Sequence, residues 1–274
     1  ILHSHLCRAP DMRERFRNEA KTHGKLEHPN IVRVYDFIIT EEMLLIAMEF
    51  VPGGRNLGDL LQGAPMPQRV ACDVLRQILR GVAFAHAEGV VHRDIKPANI
   101  MIAEERGHLK PWLTDFGIAK ALHTSSMTQP GSVLGTVDYM SPEQCLGQTV
   151  DQRSDLYSIG VVLYECLTGR VPFRAATEYQ VMQAHVDNAP ERPDRYNPEL
   201  LPGLVAICLR ALEKDPQQRY QTANAILDDL DAIHDEVERL PAEKVKLPPA
   251  RIVLESADDV GDGPVTGFPL PQAD

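Results

Sequence analysis

Apolar positions along the chain change period several times. Over residues 12–26, Phe16, Ala20 and His23 recur at helical spacing while Arg13, Arg15, Arg17 and Lys21 occupy other faces, which predicts an amphipathic helix. Pro10-Asp11 supplies its start, since the Asp11 carboxylate can accept from first-turn N–H groups, and His28-Pro29-Asn30 ends it. Two short β runs are predicted at 31–38 (IVRVYDFI) and 43–51 (MLLIAMEFV), joined by the polar turn Thr40-Glu41-Glu42 and closed by Pro52-Gly53-Gly54. From Pro67 to Gly89 the period is helical again: Val74, Ile78 and Val82 lie four apart, with Leu75 and Leu79 alongside. Residues 152–167 are apolar in every direction (Leu156, Ile159, Val161, Val162, Leu163, Leu167), which predicts a central buried helix. Further helices are expected at 177–187, 200–213 and 221–239, and no internal repeat is visible. The pattern is α+β, with a small β portion followed by a larger helical one.

Composition narrows this picture. The 274 residues are 43% apolar and 24% charged, which excludes wholesale disorder and leaves room for one large domain or two smaller ones. A net charge of −11 argues against nucleic acid as the main partner, because phosphate binding wants clustered Lys and Arg. The five cysteines are scattered without a C-x-x-C pair, which fits a reducing, cytoplasmic setting and no disulfide or zinc framework. The richest apolar stretch, 158–167, contains Glu165 and is far shorter than the roughly 18 residues of a membrane span, so no membrane contact is expected within this chain; a parent protein anchored beyond the tail stays open. From Pro241 onward, prolines mix with acidic residues, which predicts a mobile tail over 241–274. The chain opens Ile-Leu-His-Ser with no initiator Met, and so reads as a piece whose beginning lies upstream. Ten histidines raise the question of a metal, but His3 and His5 are two apart and no H-E-x-x-H occurs, so scattered core and surface histidines explain them better.

The chemistry concentrates in three motifs. His92-Arg93-Asp94-Ile95-Lys96-Pro97-Ala98-Asn99 comes first, then Asp115-Phe116-Gly117, then Ser141-Pro142-Glu143. A carboxylate such as Asp94 can accept or orient a hydroxyl proton, and Lys96 sets a cation beside it on the same loop. Asn99 offers an amide oxygen and Asp115 a carboxylate, the hard donors that Mg2+ prefers. Gly117 gives the freedom needed by the turn after Asp115. Each motif alone is a weak signal; all three in order at workable spacing are not.

On those residues the chain resembles the eukaryotic-like Ser/Thr protein kinases in their bacterial form, a likeness carried also by RERFRNEAKTHGKLEHPNIVRVYDF and YSIGVVLYECLTGRVPF and covering about residues 1–238. The resemblance implies a two-lobed kinase fold: a partial small lobe over 1–51, a helical large lobe over 52–240, and the tail. It implies transfer of the γ-phosphate of ATP, with Mg2+, to Ser or Thr hydroxyls of protein substrates. Asp94, Lys96, Asn99 and Asp115 would be catalytic, with Asn99 and Asp115 also holding the metal. Glu19 would pair with an ATP-orienting lysine, and Thr136 would bond Asp94 and Lys96. Met48 would guard the space behind the adenine, the backbones of Glu49 and Val51 would bind its edge, and Met101 would floor it. Asp155 would hold the backbone of the His92–Asp94 loop, and Glu143 and Arg219 would form a buried ion pair. Val34, His23, Phe116 and His92 would stack between the lobes, with His23 an unusual member. Arg93 would await a phosphate on the segment 118–140, at Thr128 foremost and otherwise at Ser126 or Ser132, added by autophosphorylation between associating copies.

The chain holds no G-x-G-x-x-G and no V-A-I-K-type lysine ahead of Glu19. The expectation is therefore a kinase domain without its first three strands, weak or inactive alone. The runner-up is a pseudokinase-like binding module, which intact Asp94, Lys96, Asn99 and Asp115 disfavour.

Overall fold

The structure, a computed structural model, describes residues 23–39, 44–116, 137–243, 245 and 247–249. The first helix reaches the described region only at His23, followed by a turn. Strands β1 (Val34–Ile39) and β2 (Leu44–Met48) form an antiparallel pair with an irregularity between Val34 and Asp36. Both are shorter than the sequence pattern predicts. Ile31 and Val32 leave β1's ladder and join the other part of the molecule instead: Val32 N–H donates to Leu113 O at 2.8 Å, and Leu113 N–H donates to Asn30 O at 2.8 Å. At the far end, Glu49 N–H still reaches Arg33 O, but the chain then turns at Gly53 and Gly54, both with positive φ.

A second sheet carries the chemistry-bearing loop. Its antiparallel order is β3 (Arg55–Asn56), β4 (Ile100–Glu105), β5 (His108–Leu113). Periodicity alone missed it, because this region reads as polar. The signal was nonetheless present: Arg106-Gly107, with φ of 53° and 84°, makes the tight left-handed turn that suits a two-residue hairpin. Asn56 caps the short helix α1 (Leu57–Leu61) in a reciprocal capping box with Asp59.

The helical part is built around α2 (Gln68–Ala87) and α4 (Gln152–Thr168), with the short α3 (Pro142–Cys145) between them in sequence. Almost every side chain of α4 is buried, as its all-round apolar pattern predicts. Gly160 lets α6 (Pro202–Ala211) approach α4, for a Cβ there would sit 2.8 Å from that of Ala211. Helix α5 (Glu178–Asp187) follows prediction. The predicted 221–239 helix is two pieces, α7 (Ala223–Ala232) and α8 (His234–Glu238), broken at Ile233. Leu57, Leu79, Ile100, Leu113, Leu156 and Leu204, all buried, belong to one continuous core. Among the described residues no helix is long and apolar enough to cross a membrane. Burial pushes the Cys72 thiol up to about 12 and raises those of Cys166 and Cys208, so these cysteines are inert packing residues.

Candidate active site

The site lies where the two sheets meet. The loop from His92 runs into a 3-10 turn (Pro97–Asn99) and then directly into β4, while β5 delivers Thr114, Asp115 and Phe116 alongside. Thr114 N–H donates to Asn99 O at 3.0 Å, which ties the two segments together beside the chemistry.

Asp94 is half-buried at the centre. Lys96 Nζ stands 3.0 Å from its Oδ2, and Asn99 Nδ2 donates to both Asp94 O (2.8 Å) and Asp94 Oδ2 (3.0 Å). One carboxylate oxygen is thus fixed by a cation and an amide. The Asp115 carboxylate has no hydrogen-bond donor among the described residues. Desolvation raises its pKa above the usual carboxylate range; the Asp94 charge adds to this, and His92 and Lys96 oppose it. Asp115 has φ of +57°, and Arg93 has φ of +67°, both in the left-handed region where a side chain is costly.

That strain is held from below by Asp155, in the first turn of α4. It accepts from His92 N–H (2.8 Å), Arg93 N–H (2.7 Å) and His86 Nε2 (2.8 Å), and it is 1% exposed. Arg93 O is held separately by Gln144 Nε2 at 2.7 Å, leaving the Arg93 side chain exposed. His92 is buried and its Nε2 meets Thr114 O at 3.0 Å. Its ring lies 4.4 Å from that of Phe116, which in turn is 5.6 Å from His23. Burial, and then the charges of His92 and Arg93, hold the His23 imidazole down at about 4. His23, Val34, Met48 and Phe116 line one narrow apolar pocket, and Thr114 Oγ1 contacts Met48 Sδ at 3.9 Å.

Glu143 and Arg219 form a bidentate pair with both contacts at 2.8 Å. Arg219 also donates to Glu213 O, Lys214 O and Arg153 O, lies over the Tyr157 ring at 4.9 Å, and has a side chain 0% exposed. Ser154 Oγ donates to Glu143 as well. The 3-10 turn Val137–Tyr139 is fastened to α4 by Tyr139 Oη to Glu165 (2.6 Å) and by Ser158 Oγ to Tyr139 O (2.7 Å).

At the strand-to-sheet crossover, Glu49 is exposed and Val51 is buried with Val32, Ala103 and Trp112, against which Met101 packs. Glu19, Gly117, Thr136, Ser126, Thr128 and Ser132 lie outside the described residues. Sequence reasoning missed Gln144 and His86. Both act on the backbone or on another side chain from a distance in sequence, and only the capping-box spacing of Ser141 and Gln144 hints at either.

A two-layered architecture with a small sheet, a helical body and a loop-borne Asp-Lys-Asn cluster between them defines the protein kinase fold. The protein kinase domain model matches residues 5–230, and the chain belongs to that family. Its relatives make it a bacterial-type serine/threonine protein kinase domain. It is 41% identical over 239 residues to the serine/threonine-protein kinase pkn2 of Myxococcus xanthus, a match covering 85% of this chain and 29% of that protein. A probable serine/threonine-protein kinase of Streptomyces coelicolor is 43% identical over 242 residues, covering 85% of this chain and 35% of its own length. The serine/threonine-protein kinase PknB of Mycobacterium tuberculosis is 41% identical over 282 residues, covering all of this chain and 44% of PknB. The chain thus spans about a third of the length of the curated relatives it matches.

Proposed function

We propose that this domain transfers the γ-phosphoryl group of ATP to Ser and Thr hydroxyls of protein substrates. The observation that carries the reading is the Asp94–Lys96–Asn99 cluster on one loop, with the Asp115 carboxylate, which has no hydrogen-bond donor among the described residues, just after β5. Asp94 orients the acceptor hydroxyl and takes its proton, and Lys96 offsets charge on the phosphoryl group in flight. The Asn99 amide oxygen and Asp115 would hold Mg2+. They fit it: both are hard oxygens, Asp115 has no donor among the described residues, and two protein ligands are what Mg2+ takes when substrate phosphates complete its shell. When bound, the ion neutralises phosphate charge.

The Glu49 and Val51 backbones bind the adenine edge, Met101 floors it and Met48 closes its rear. Glu19 and Thr136 complete the site in the roles the resemblance implies. Arg93, exposed and without an ion-pair partner among the described residues, receives a phosphate on Thr128, or on Ser126 or Ser132, added by a second copy. Residues 1–274 taken alone, with neither Gly-rich loop nor strand lysine, hold ATP phosphates weakly. The test is phosphate transfer to a Ser/Thr peptide mixture by the full-length protein, with Asp94→Asn as control. Transfer confined to the unmutated protein is expected; equal signal from both, or phosphotyrosine alone, would overturn the assignment. Transfer by residues 1–274 as strong as by the full-length protein would overturn the weakness expected of the shorter chain.

A further inference from the structure

Eight arginines among the described residues are ion-paired: Arg33, Arg69, Arg76, Arg153, Arg192, Arg195, Arg210 and Arg219. Most of the unpaired ones are exposed, where water solvates them. Arg55 is the exception among the described residues, being neither exposed nor paired. Its Nε is buried without any hydrogen-bond partner. That nitrogen has lost its water and gained nothing, while Nη1 and Nη2 are not among the buried unpartnered atoms and form the end of the side chain that a ligand can reach.

Its position relates it to the site. Arg55 opens β3, the edge strand, and pairs across to Ile102, three residues beyond Asn99. Its guanidinium folds back on the turn after Val51: a Cβ on Gly53 would sit 3.2 Å from Nη1. On its other side Asn56 starts α1, where a Cβ on Gly58 would lie 3.6 Å from Pro97 of the catalytic loop. Arg55, with no ion-pair partner among the described residues, therefore lies on a strand packed against the Pro97–Asn99 turn, with its guanidinium beside the proposed adenine-binding turn.

We propose that Arg55 is a specificity-determining residue that binds a carboxylate of the protein substrate, an Asp or Glu side chain flanking the acceptor Ser or Thr; this rests on the kinase reading above. The planar fork matches a carboxylate bidentately, and the partly desolvated setting strengthens that pairing over a surface one. The chain's net charge of −11 makes a local cation the more necessary for docking an acidic segment.

The experiment compares paired peptides that differ only in Asp against Ala at each flanking position in turn, using the full-length protein. Both kcat/KM and direct binding, by fluorescence anisotropy without turnover, are measured. At one position the unmutated protein should favour Asp by roughly tenfold, through KM rather than kcat. Arg55→Gln should bring that ratio to about one and Arg55→Glu should invert it, while Arg55→Lys keeps part of it. The KM for ATP should stay put. An unchanged Asp-to-Ala ratio in Arg55→Glu, or an effect on ATP alone, would overturn the proposal. If no peptide is phosphorylated, the kinase reading fails, and the anisotropy ratio still decides the role of Arg55.

Discussion

Replacing Arg219 by Met would leave Glu143 charged and buried with only Ser154 to answer it. Breaking one side of a buried ion pair costs about 3–5 kcal/mol, against a total stability of about 5–15 kcal/mol for a domain. Three carbonyls, of Glu213, Lys214 and Arg153, also lose their donor, which places the cost toward the upper end. The pH dependence makes the test sharp. Burial, the largest single influence, pushes the Glu143 carboxyl up, but hydrogen bonds from Arg219 and Ser154 and the Arg219 charge outweigh it, and the net pKa is lowered. In the unmutated protein the pair therefore contributes stability above the unfolded carboxylate pKa of about 4.3, lost as pH falls through the lower folded value. In Arg219→Met the sign reverses. With the Arg219 charge and hydrogen bonds gone, burial outweighs what Ser154 still supplies, the carboxyl titrates higher, and acidification removes the buried charge. Urea unfolding at pH 7 and pH 5 should show the mutant's deficit shrinking at the lower pH. A deficit that stays constant or grows would refute the reasoning, as would one under about 1 kcal/mol.

Asp155→Asn should keep the fold but loosen the Arg93 backbone, lowering kcat by at least about tenfold with little change in the KM for ATP, as steady-state kinetics would show. Asn99→Ala removes both contacts to Asp94 and a proposed metal ligand; activity should fall roughly 10–100-fold and the Mg2+ concentration for half-maximal rate should rise. Gly169 has φ of +72° and a Cβ there would lie 2.7 Å from Gly63 O, so Gly169→Ala should lower stability by about 1–3 kcal/mol in a urea titration without affecting peptide KM.

The helical body was readable because its determinants are periodic. The Val74–Ile78–Val82 face and the all-round apolar α4 each declare themselves within one element. The site residues were readable for another reason: phosphoryl transfer needs particular functional groups at close spacing, so Asp94, Lys96 and Asn99 fall within six positions. What stayed hidden depends on partners distant in sequence. Ile31 and Val32 alternate like strand residues, yet Ile31 N–H turns back to His28 O and Val32 N–H goes to Leu113 O rather than along β1's ladder. The β4–β5 hairpin was masked by charged residues at its tip, although Arg106-Gly107 marked the turn. That Arg55 has no ion-pair partner among the described residues cannot be read from any motif, since it depends on side chains distant in sequence.

The crossing at Asn30 has a mechanical consequence. Asn30 is pinned to the large lobe by its carbonyl on Leu113 N–H and by its Nδ2 on Pro111 O, and Gly81 leaves so little room that an added Cβ would stand 3.2 Å from Asn30 O. The second crossing, at Val51, packs beside the first through Val32. The small lobe is thus mounted like a door on two neighbouring pins. Swinging about the line through them preserves both attachments, whereas sliding would shear the bonds of Val32 and Asn30 to Leu113. The His23–Phe116–His92 rings lie beside that line, so a swing about it bears directly on the loop that carries Asp94.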